Sequence, residues 1–137
     1  MGAHVSVPMY RRSLPQRLRL EGRRCAACAA VHFPPLAVCP RCLGTELEPL
    51  PLSGRGVIEA VTEIAPAGAP PEFTDQVRAD GGYFVAIVSL AEGPRITAQL
   101  TGFASLPPIG TPVEAVIRRL YVQEGVVRYG FKFRPRP

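Results

Sequence analysis

The sequence predicts a mainly β protein in which a small cysteine ribbon precedes a five-stranded antiparallel barrel. All four cysteines fall in the stretch "CAACAAVHFPPLAVCPRC", and the remainder contains five short apolar or alternating segments separated by turn residues. The 137 residues include 16 prolines and 13 glycines, too many for a helical bundle, while 47% hydrophobic residues argue against disorder. We expect three parts: a basic arm (1–24), the ribbon (25–52) and the barrel (53–137).

The arm carries six arginines against a single acid, Glu21. Pro15 argues against a long helix because it lacks the backbone N–H that an inner helical turn needs. The segment "RLRL" (17–20) alternates in polarity and therefore predicts a short strand. Nothing at the start of the chain has the apolar core of a secretory signal, so we expect a cytoplasmic protein with no membrane segment.

The four cysteines form two C-x-x-C pairs, each of which predicts a tight turn that presents two thiolates. Thiols stay reduced in the cytosol, which favours a metal site over two disulfides. A ribbon this short has little core, so metal ligation worth on the order of 10 kcal/mol would supply most of its folding energy. We expect one structural Zn²⁺ bound by four ligands: Cys25, Cys28, Cys39 and Cys42.

Iron is the alternative metal, because rubredoxin-type centres use the same four ligands and carry electrons. Their knuckles usually have glycine after the second cysteine, where this chain has Ala29 and Leu43, and thiolate tetrahedra suit zinc without redox work. His32 lies between the knuckles and is expected to be a solvent-facing loop residue rather than a ligand. His4 stands near the terminus and is an even weaker candidate.

Five strands are predicted after the ribbon. "YFVAIVSL" is almost continuously apolar, which is typical of a strand buried on both sides, and "RITAQLTGF" alternates. In the last strand, Tyr129, Phe131 and Phe133 alternate with charged residues, and we expect these aromatic side chains in the core. The five predicted strands are 56–64, 83–90, 95–103, 111–120 and 126–134.

Five short antiparallel strands over about 80 residues fit a small barrel of the OB-fold type. The segment 65–82 is too long and too rich in proline and glycine for a simple hairpin, so it is expected to be a functional or mobile loop.

No catalytic residue is expected in this chain. Its two histidines lie outside the barrel, its cysteines are committed to metal, and no G-x-S-x-G, H-E-x-x-H or P-loop motif occurs.

A single-stranded nucleic-acid binder is the alternative function, because a zinc ribbon, an OB barrel and a pI near 9.4 are all compatible with it. Such binders place aromatic and cationic side chains on one surface. The alternation in 126–134 separates them, so nucleic acid is not the expected partner.

Six segments together resemble one family over residues 14–135: "RLRLEGRRCAAC", "HFPPLAVCPRC", "LSGRGVIEAVTEI", "GPRITAQLTGF", "IGTPVEAVI" and "GFKFRP". It is the family of thiolase-associated proteins that join a rubredoxin-like zinc ribbon to an OB-fold. The chain departs from the family pattern at Ala29, where glycine is usual, and at Leu36, where a basic residue is usual. Neither position is a metal ligand.

The resemblance implies a non-catalytic accessory subunit that forms a hetero-oligomer with a thiolase-like catalytic subunit and is needed for its activity. It also implies a coenzyme A thioester at the shared interface, with no coenzyme-binding residues assigned. A short chain without a fused hydratase is most similar to the small subunit of 2-benzoylsuccinyl-CoA thiolase, from anaerobic toluene degradation. We expect the partner to contact the basic arm through Leu14, Leu18 and Leu20, and also segments 65–82 and "HFPPL".

Overall fold

The structure is a computed structural model that describes residues 6–137. The chain divides into two compact units, one extending to Ser53 and the other comprising Gly54–Pro137. The prediction of a mainly β chain, with a four-cysteine ribbon followed by an OB-type barrel, is confirmed. The helices are α1 (Val7–Leu18) and α2 (Thr74–Asp80), and the strands are β1 (Glu21–Cys25), β2 (Val31–His32), β3 (Leu47–Pro51), β4 (Arg55–Ile64), β5 (Tyr83–Leu90), β6 (Arg95–Gln99), β7 (Pro112–Gln123) and β8 (Val126–Pro135).

The ribbon unit is a three-stranded antiparallel sheet in the order β2-β1-β3. Its core is small, consisting of Leu20, Cys25, Cys39 and Leu52. Leu20 is only 3% exposed, and its carbonyl oxygen accepts a hydrogen bond of 3.0 Å from the Leu52 N–H. The expectation that Leu20 meets a partner is therefore wrong, because this side chain already packs within its own unit.

The basic arm contains a helix, contrary to the sequence prediction. Ser6 caps α1 by accepting a 3.4 Å hydrogen bond from the Met9 N–H, and Pro8 occupies the first turn, where a missing N–H costs nothing. Pro15 lies inside the helix, yet its carbonyl still accepts a 3.1 Å bond from Arg19. The strand expected at 17–20 is absent, since the helix runs to Leu18 and β1 begins at Glu21.

Both knuckle turns have the same backbone geometry. The N–H of Ala29 donates to the carbonyl of Cys25 at 2.9 Å, and the N–H of Leu43 donates to that of Cys39 at 2.8 Å. Ala29 and Leu43 have φ of 60° and 62°, the left-handed region that glycine adopts without strain. The two non-glycine residues noted in the sequence therefore stand at the positions where the turn favours glycine.

The barrel unit is a five-stranded antiparallel sheet in the order β6-β5-β4-β7-β8. It closes where the end of β6 meets β8: Leu100 bridges to Phe133, and the Thr101 N–H donates to the Phe133 carbonyl at 2.8 Å. The buried apolar side chains of this unit are Ile58, Tyr83, Ala86, Val88, Leu90, Leu100, Val113 and Phe133.

The five predicted strands are all present, with different bounds. β6 ends at Gln99 rather than at 103, whereas β7 continues three residues beyond the predicted end. β5 buries Ala86, Val88 and Leu90, but Ile87 on the other face is exposed. The prediction that β5 is buried on both sides is wrong at Ile87, because continuous apolarity does not distinguish a covered face from an open one.

β8 departs from the prediction that its three aromatic residues line the core. Phe133 is fully buried, Phe131 is half-buried, and Tyr129 is 57% exposed. β4 pairs with β7 only as far as Glu114, whereas β7 and β8 remain paired to Gln123 and Val126. The aromatic face of β8 therefore continues beyond the closed part of the barrel, and Tyr129 loses its cover.

Segment 65–82 is largely structured. It contains two short 3₁₀ turns, Pro66–Gly68 and Pro71–Phe73, followed by α2, which ends at Gly81 with a left-handed φ of 74°. The Phe73 ring lies 5.4 Å from that of Tyr83 and 5.6 Å, edge-on, from that of Tyr121, between ring centroids. These contacts anchor the segment against β5 and β7.

Replacing Phe133 with alanine should destabilise the barrel unit by about 3–5 kcal/mol, because a fully buried ring is lost beside the closure point. Urea unfolding of the variant measures this change in the free energy of unfolding. Tyr129→Ala is the matched control, since Tyr129 lies on the same face of the same strand but is exposed. An equal loss in both variants would contradict the packing described.

Replacing Ala29 with glycine should stabilise the ribbon by roughly 0.5–1 kcal/mol, because the left-handed conformation costs alanine about 1–2 kcal/mol and glycine much less. Ala27→Gly, in the same turn without a positive φ, should instead destabilise it by a similar amount. Hydrogen exchange of the β1 amides measures both effects. Slower exchange in the Ala27 variant than in the Ala29 variant would refute the strain argument.

Candidate metal centre

The four cysteines predicted as ligands are brought together at the tips of the two knuckles. Their sulfur atoms all lie within 4.8 Å of one another, with 3.5 Å between Cys25 and Cys42 and 3.6 Å between Cys28 and Cys39. A tetrahedron with metal–sulfur bonds of about 2.3 Å has sulfur–sulfur edges of about 3.8 Å. The thiols are not joined as disulfides, and their arrangement fits a four-thiolate metal site.

Backbone N–H groups of each knuckle point at its first cysteine. The N–H of Cys28 is the main cause that lowers the pKa of Cys25 to about 7; burial opposes it and the N–H of Ala27 assists. Burial raises the pKa of Cys39, but the N–H groups of Cys42 and Arg41 outweigh it, so this pKa is also lowered. Both knuckles thus favour a thiolate at their first position.

The fourth thiol behaves differently. The N–H of Gly44 acts to lower the pKa of Cys42, yet the neighbouring sulfurs of Cys25 and Cys28 outweigh it and raise that pKa to about 12. Four thiolates packed this closely repel one another, so a cation is needed to hold all four in the ionised form at neutral pH. The electrostatics of the cluster therefore favour a bound metal cation, as does the spacing of its four sulfur atoms.

His32 lies beside the cluster, contrary to the expectation that it faces solvent. It is half-buried in β2, and its Nε2 lies 3.3 Å from the Cys39 sulfur. A ring N–H at this distance can donate to a thiolate, which is the contact that orients and stabilises ligands around a metal. Sequence spacing did not reveal it, because the contact arises when β2 pairs with β1 at Arg23. His4 lies outside the described residues.

Gly44 is a further residue of the site that the sequence pattern did not single out. A Cβ at this position would lie 3.3 Å from the Cys42 sulfur and 3.4 Å from that of Cys25. The absence of a side chain leaves the cluster unobstructed on that side. The signal was present in the sequence, since Gly44 comes two residues after Cys42, the last cysteine of the second knuckle.

A second polar feature occurs in the barrel unit. Two adjoining clefts of about 440 and 290 Å³ share Gln76, Asp80 and Lys132 in their walls. Lys132 is only 9% exposed, and burial lowers its pKa, with Asp80 opposing this effect. Gln76 donates from Nε2 to Gln99 at 3.1 Å, while its own buried Oε1 has no partner among the described residues. Gln76 and Asp80 lie in segment 65–82, which was expected to contact the partner, whereas Lys132 was not among the predicted functional residues.

The barrel unit contains no cysteine and no histidine, so the groups that most often serve as nucleophile and base in acyl transfer are lacking there. The described residues include no helix long and apolar enough to cross a lipid bilayer.

The two units match two family models. Residues 12–48 match a model described as the ChsH2 rubredoxin-like zinc ribbon domain, and residues 50–118 match the ChsH2 C-terminal OB-fold domain. A solved structure titled an Ltp2-ChsH2(DUF35) aldolase is similar over 98% of both chains, with a TM-score of 0.69 and 26% sequence identity.

Curated relatives agree with these models. The chain is 39% identical to a DUF35 domain-containing scaffold protein of Methanothermobacter thermautotrophicus, over 91% of this chain and 92% of the relative. It is 32% identical to the benzoylsuccinyl-CoA thiolase subunit BbsA of Thauera aromatica, over 84% of this chain and 75% of that one. With a matching ribbon, a matching barrel and relatives similar along most of its length, the chain belongs to the DUF35 family of ChsH2-type proteins, in which a rubredoxin-like zinc ribbon precedes an OB-fold domain.

Proposed function

We propose that this chain is a non-catalytic, zinc-containing accessory subunit of a thiolase-superfamily complex. The observation that carries the proposal is its similarity, along nearly the whole chain, to proteins described as scaffolds. The thiolase subunit BbsA and the Ltp2-ChsH2 aldolase add the class of complex in which such chains occur. We extend the scaffold role and the thiolase-type complex to this chain, and we propose that it assembles with its partner as a hetero-oligomer.

The distribution of reactive groups supports a complex in which the partner subunit carries the catalytic residues and this chain does not. Thioester cleavage by a thiolase-type enzyme needs a free nucleophile with a base beside it. In this chain the four thiols are gathered in one cluster, and the histidine nearest to them contacts Cys39. The nucleophile and the base therefore come from the partner, while this chain supports assembly and the shape of the substrate channel.

The substrate we propose is a coenzyme A thioester bound at the interface with the partner. The support is the benzoylsuccinyl-CoA named for one relative and the two arginine-rich ends of this chain. Benzoylsuccinyl-CoA itself is the acyl-CoA we would test first. We also propose a cytoplasmic location, supported by four thiols that are free of disulfides.

A second candidate, a single-stranded nucleic-acid binder, gains one observation from the structure. Tyr129 is exposed, and the register pairs it with Arg119, so an aromatic and a cationic side chain share one face. Within β8 the aromatic and charged residues lie on opposite faces, as predicted, but that prediction did not include the cation that β7 brings to the face of Tyr129. The relatives still favour the accessory role.

The metal proposal predicts about one zinc ion per chain, held by Cys25, Cys28, Cys39 and Cys42. Cys42→Ser should lose the ion and unfold the ribbon, because most of its folding energy comes from ligation, while the barrel unit stays folded. Metal analysis by mass spectrometry and NMR of the two units measure these outcomes. Arg41→Ser, an exposed change in the same knuckle, should keep the metal. Iron at full occupancy in the purified protein would disprove the zinc assignment.

The accessory role predicts that the isolated chain neither cleaves nor condenses acyl-CoA thioesters. Co-expressed with a thiolase-superfamily subunit from the same genome, it should co-purify with that subunit and raise its turnover at least about 100-fold, the lower end of the contribution of one positioned group. Thiolysis assays with and without this chain measure the effect. Thiolysis by the isolated chain, or a partner equally active without it, would show that the role is wrong.

A further inference from the structure

Lys132 is the only lysine in the chain. The other members of its 16 lysine and arginine residues are all arginine. A guanidinium stays charged in proteins, whereas a lysine amine readily loses its proton when it is taken out of water. Lys132 is 9% exposed. The one side-chain amine of this protein therefore occupies a buried position rather than a place on the surface.

The amine of Lys132 has no partner within the part of the chain that the structure describes. No hydrogen bond to it is formed there, and the ion pairs of that part all involve arginine. Its Nζ also differs from the buried Oε1 of Gln76, since it is not sealed from solvent. A buried polar group normally finds a partner, and this one instead opens on two clefts.

The two clefts, of about 440 and 290 Å³, leave room for a small molecule beside this amine. Ligand pockets usually measure about 300–1,000 Å³ and are lined mainly by apolar and aromatic residues. The larger cleft has walls of that kind, which include Tyr83, Phe84, Leu100 and Phe103. Lys132 lines both clefts, so a molecule in either one lies close to its side chain.

The charges on the cleft walls favour an uncharged ligand. The carboxylates that line the clefts are Glu63, Glu72, Asp75 and Asp80. The cations that line them are Arg119 and Lys132. Asp75 is paired with Arg78 at 3.9 Å, and the remaining carboxylates still outnumber the two cations. An anionic ligand, such as a phosphate or a carboxylate, would therefore be repelled.

Burial also changes the reactivity of the amine. It lowers the pKa of Lys132, opposed by the nearby Asp80 carboxylate and assisted by Arg118. At neutral pH more of this amine is unprotonated than of a lysine on the surface. Only the unprotonated amine is a nucleophile, so the cleft makes Lys132 more reactive than an exposed lysine.

We propose that Lys132 is a carbonyl-binding amine, which holds an uncharged aldehyde or ketone in the clefts as an imine. The nitrogen attacks the carbonyl carbon, a C–N bond forms, and a proton passes from nitrogen to oxygen to give a carbinolamine. The C–O bond then breaks, and the oxygen leaves as water while the C=N bond forms. Water is the only by-product, and no oxidant or reductant is consumed.

Two side chains of α2 suit these steps. The unpartnered Oε1 of Gln76 is available to accept a hydrogen bond from the carbinolamine hydroxyl, and Gln99 holds the Nε2 of the same side chain at 3.1 Å. Asp80 lines both clefts and supplies a carboxylate that can carry the proton to the departing hydroxyl. An arginine in place of Lys132 could not form the imine, which gives a reason for lysine at this one position.

The test treats the full chain with benzaldehyde, an uncharged apolar aldehyde, and sodium cyanoborohydride, which reduces an imine to a stable amine. Peptide mass spectrometry locates the benzyl group and separates Lys132 from the reactive amino group at the start of the chain. Arg136→Lys supplies an internal reference, because it places a second lysine on the exposed chain end one residue after β8.

At pH 7, Lys132 should be labelled at least about tenfold faster than the reference lysine in the same molecule. The reason is that the cleft holds the carbonyl beside an amine that is more often unprotonated. Labelling of Lys132 at the reference rate or below would overturn the inference, and would identify this lysine as a buried counter-charge for Asp80.

Two further measurements test whether a built site holds the carbonyl. The labelling rate at Lys132 should level off as the benzaldehyde concentration rises, whereas the rate at the reference lysine should rise in proportion. Gln76→Ala should slow labelling of Lys132 at least about threefold, the effect of one lost hydrogen bond. Ala79→Ser, an exposed change on the same helix outside the cleft walls, should leave the rate unchanged.

Thermal unfolding of each variant establishes that the barrel unit is intact. A rate at Lys132 that rises in proportion throughout, or that Gln76→Ala leaves unaltered, would overturn the inference, because the clefts would then play no part in the reaction. These results concern the isolated chain, so they are independent of the accessory role, which depends on the partner subunit.

Discussion

The barrel depends on the meeting of β6 and β8 at a single place. The Thr101 N–H reaches the Phe133 carbonyl at 2.8 Å while the Phe133 side chain fills the interior, so one residue closes the sheet and packs its core. Closure at this place shields part of the two outer strands, β6 and β8, whose open edges could otherwise pair with other chains. Because β7 and β8 stay paired beyond this point, the same strand that completes the barrel also carries an apolar face into solvent.

The ribbon is stabilised in a different way. Its apolar core consists of two leucines and two cysteine side chains, too little to stabilise a unit of this size alone. The knuckles gather four sulfurs whose mutual repulsion a metal ion would relieve, and backbone N–H groups already lower the pKa of two of them. In our proposal, folding of the ribbon and binding of zinc are one process, whereas the barrel folds on its apolar core.

Sequence patterns predicted the features that depend on the alternation of apolar residues along a strand and on the spacing of the cysteines. The four cysteines and the existence of all five barrel strands followed from motif and alternation. The patterns failed where tertiary context decides: Pro15 inside α1, Leu20 within the ribbon, and Tyr129 beyond the end of the barrel core. Ser6 and Pro8 are helix-start signals that the prediction from Pro15 did not use. The contact of His32 with Cys39 depends on strand pairing, which no local pattern encodes.

Helix α1 has a consequence of its own. None of its side chains is buried, it spans 12 residues, and it contains a proline at its ninth position. Isolated helices of about 12–15 residues are only marginally populated in water, and an internal proline costs about 3 kcal/mol. By these magnitudes the helix–coil equilibrium of the segment alone lies toward the coil, and its amide hydrogens exchange by fraying rather than by unfolding of the ribbon. Whatever surface covers this helix will also have to supply the order it lacks alone.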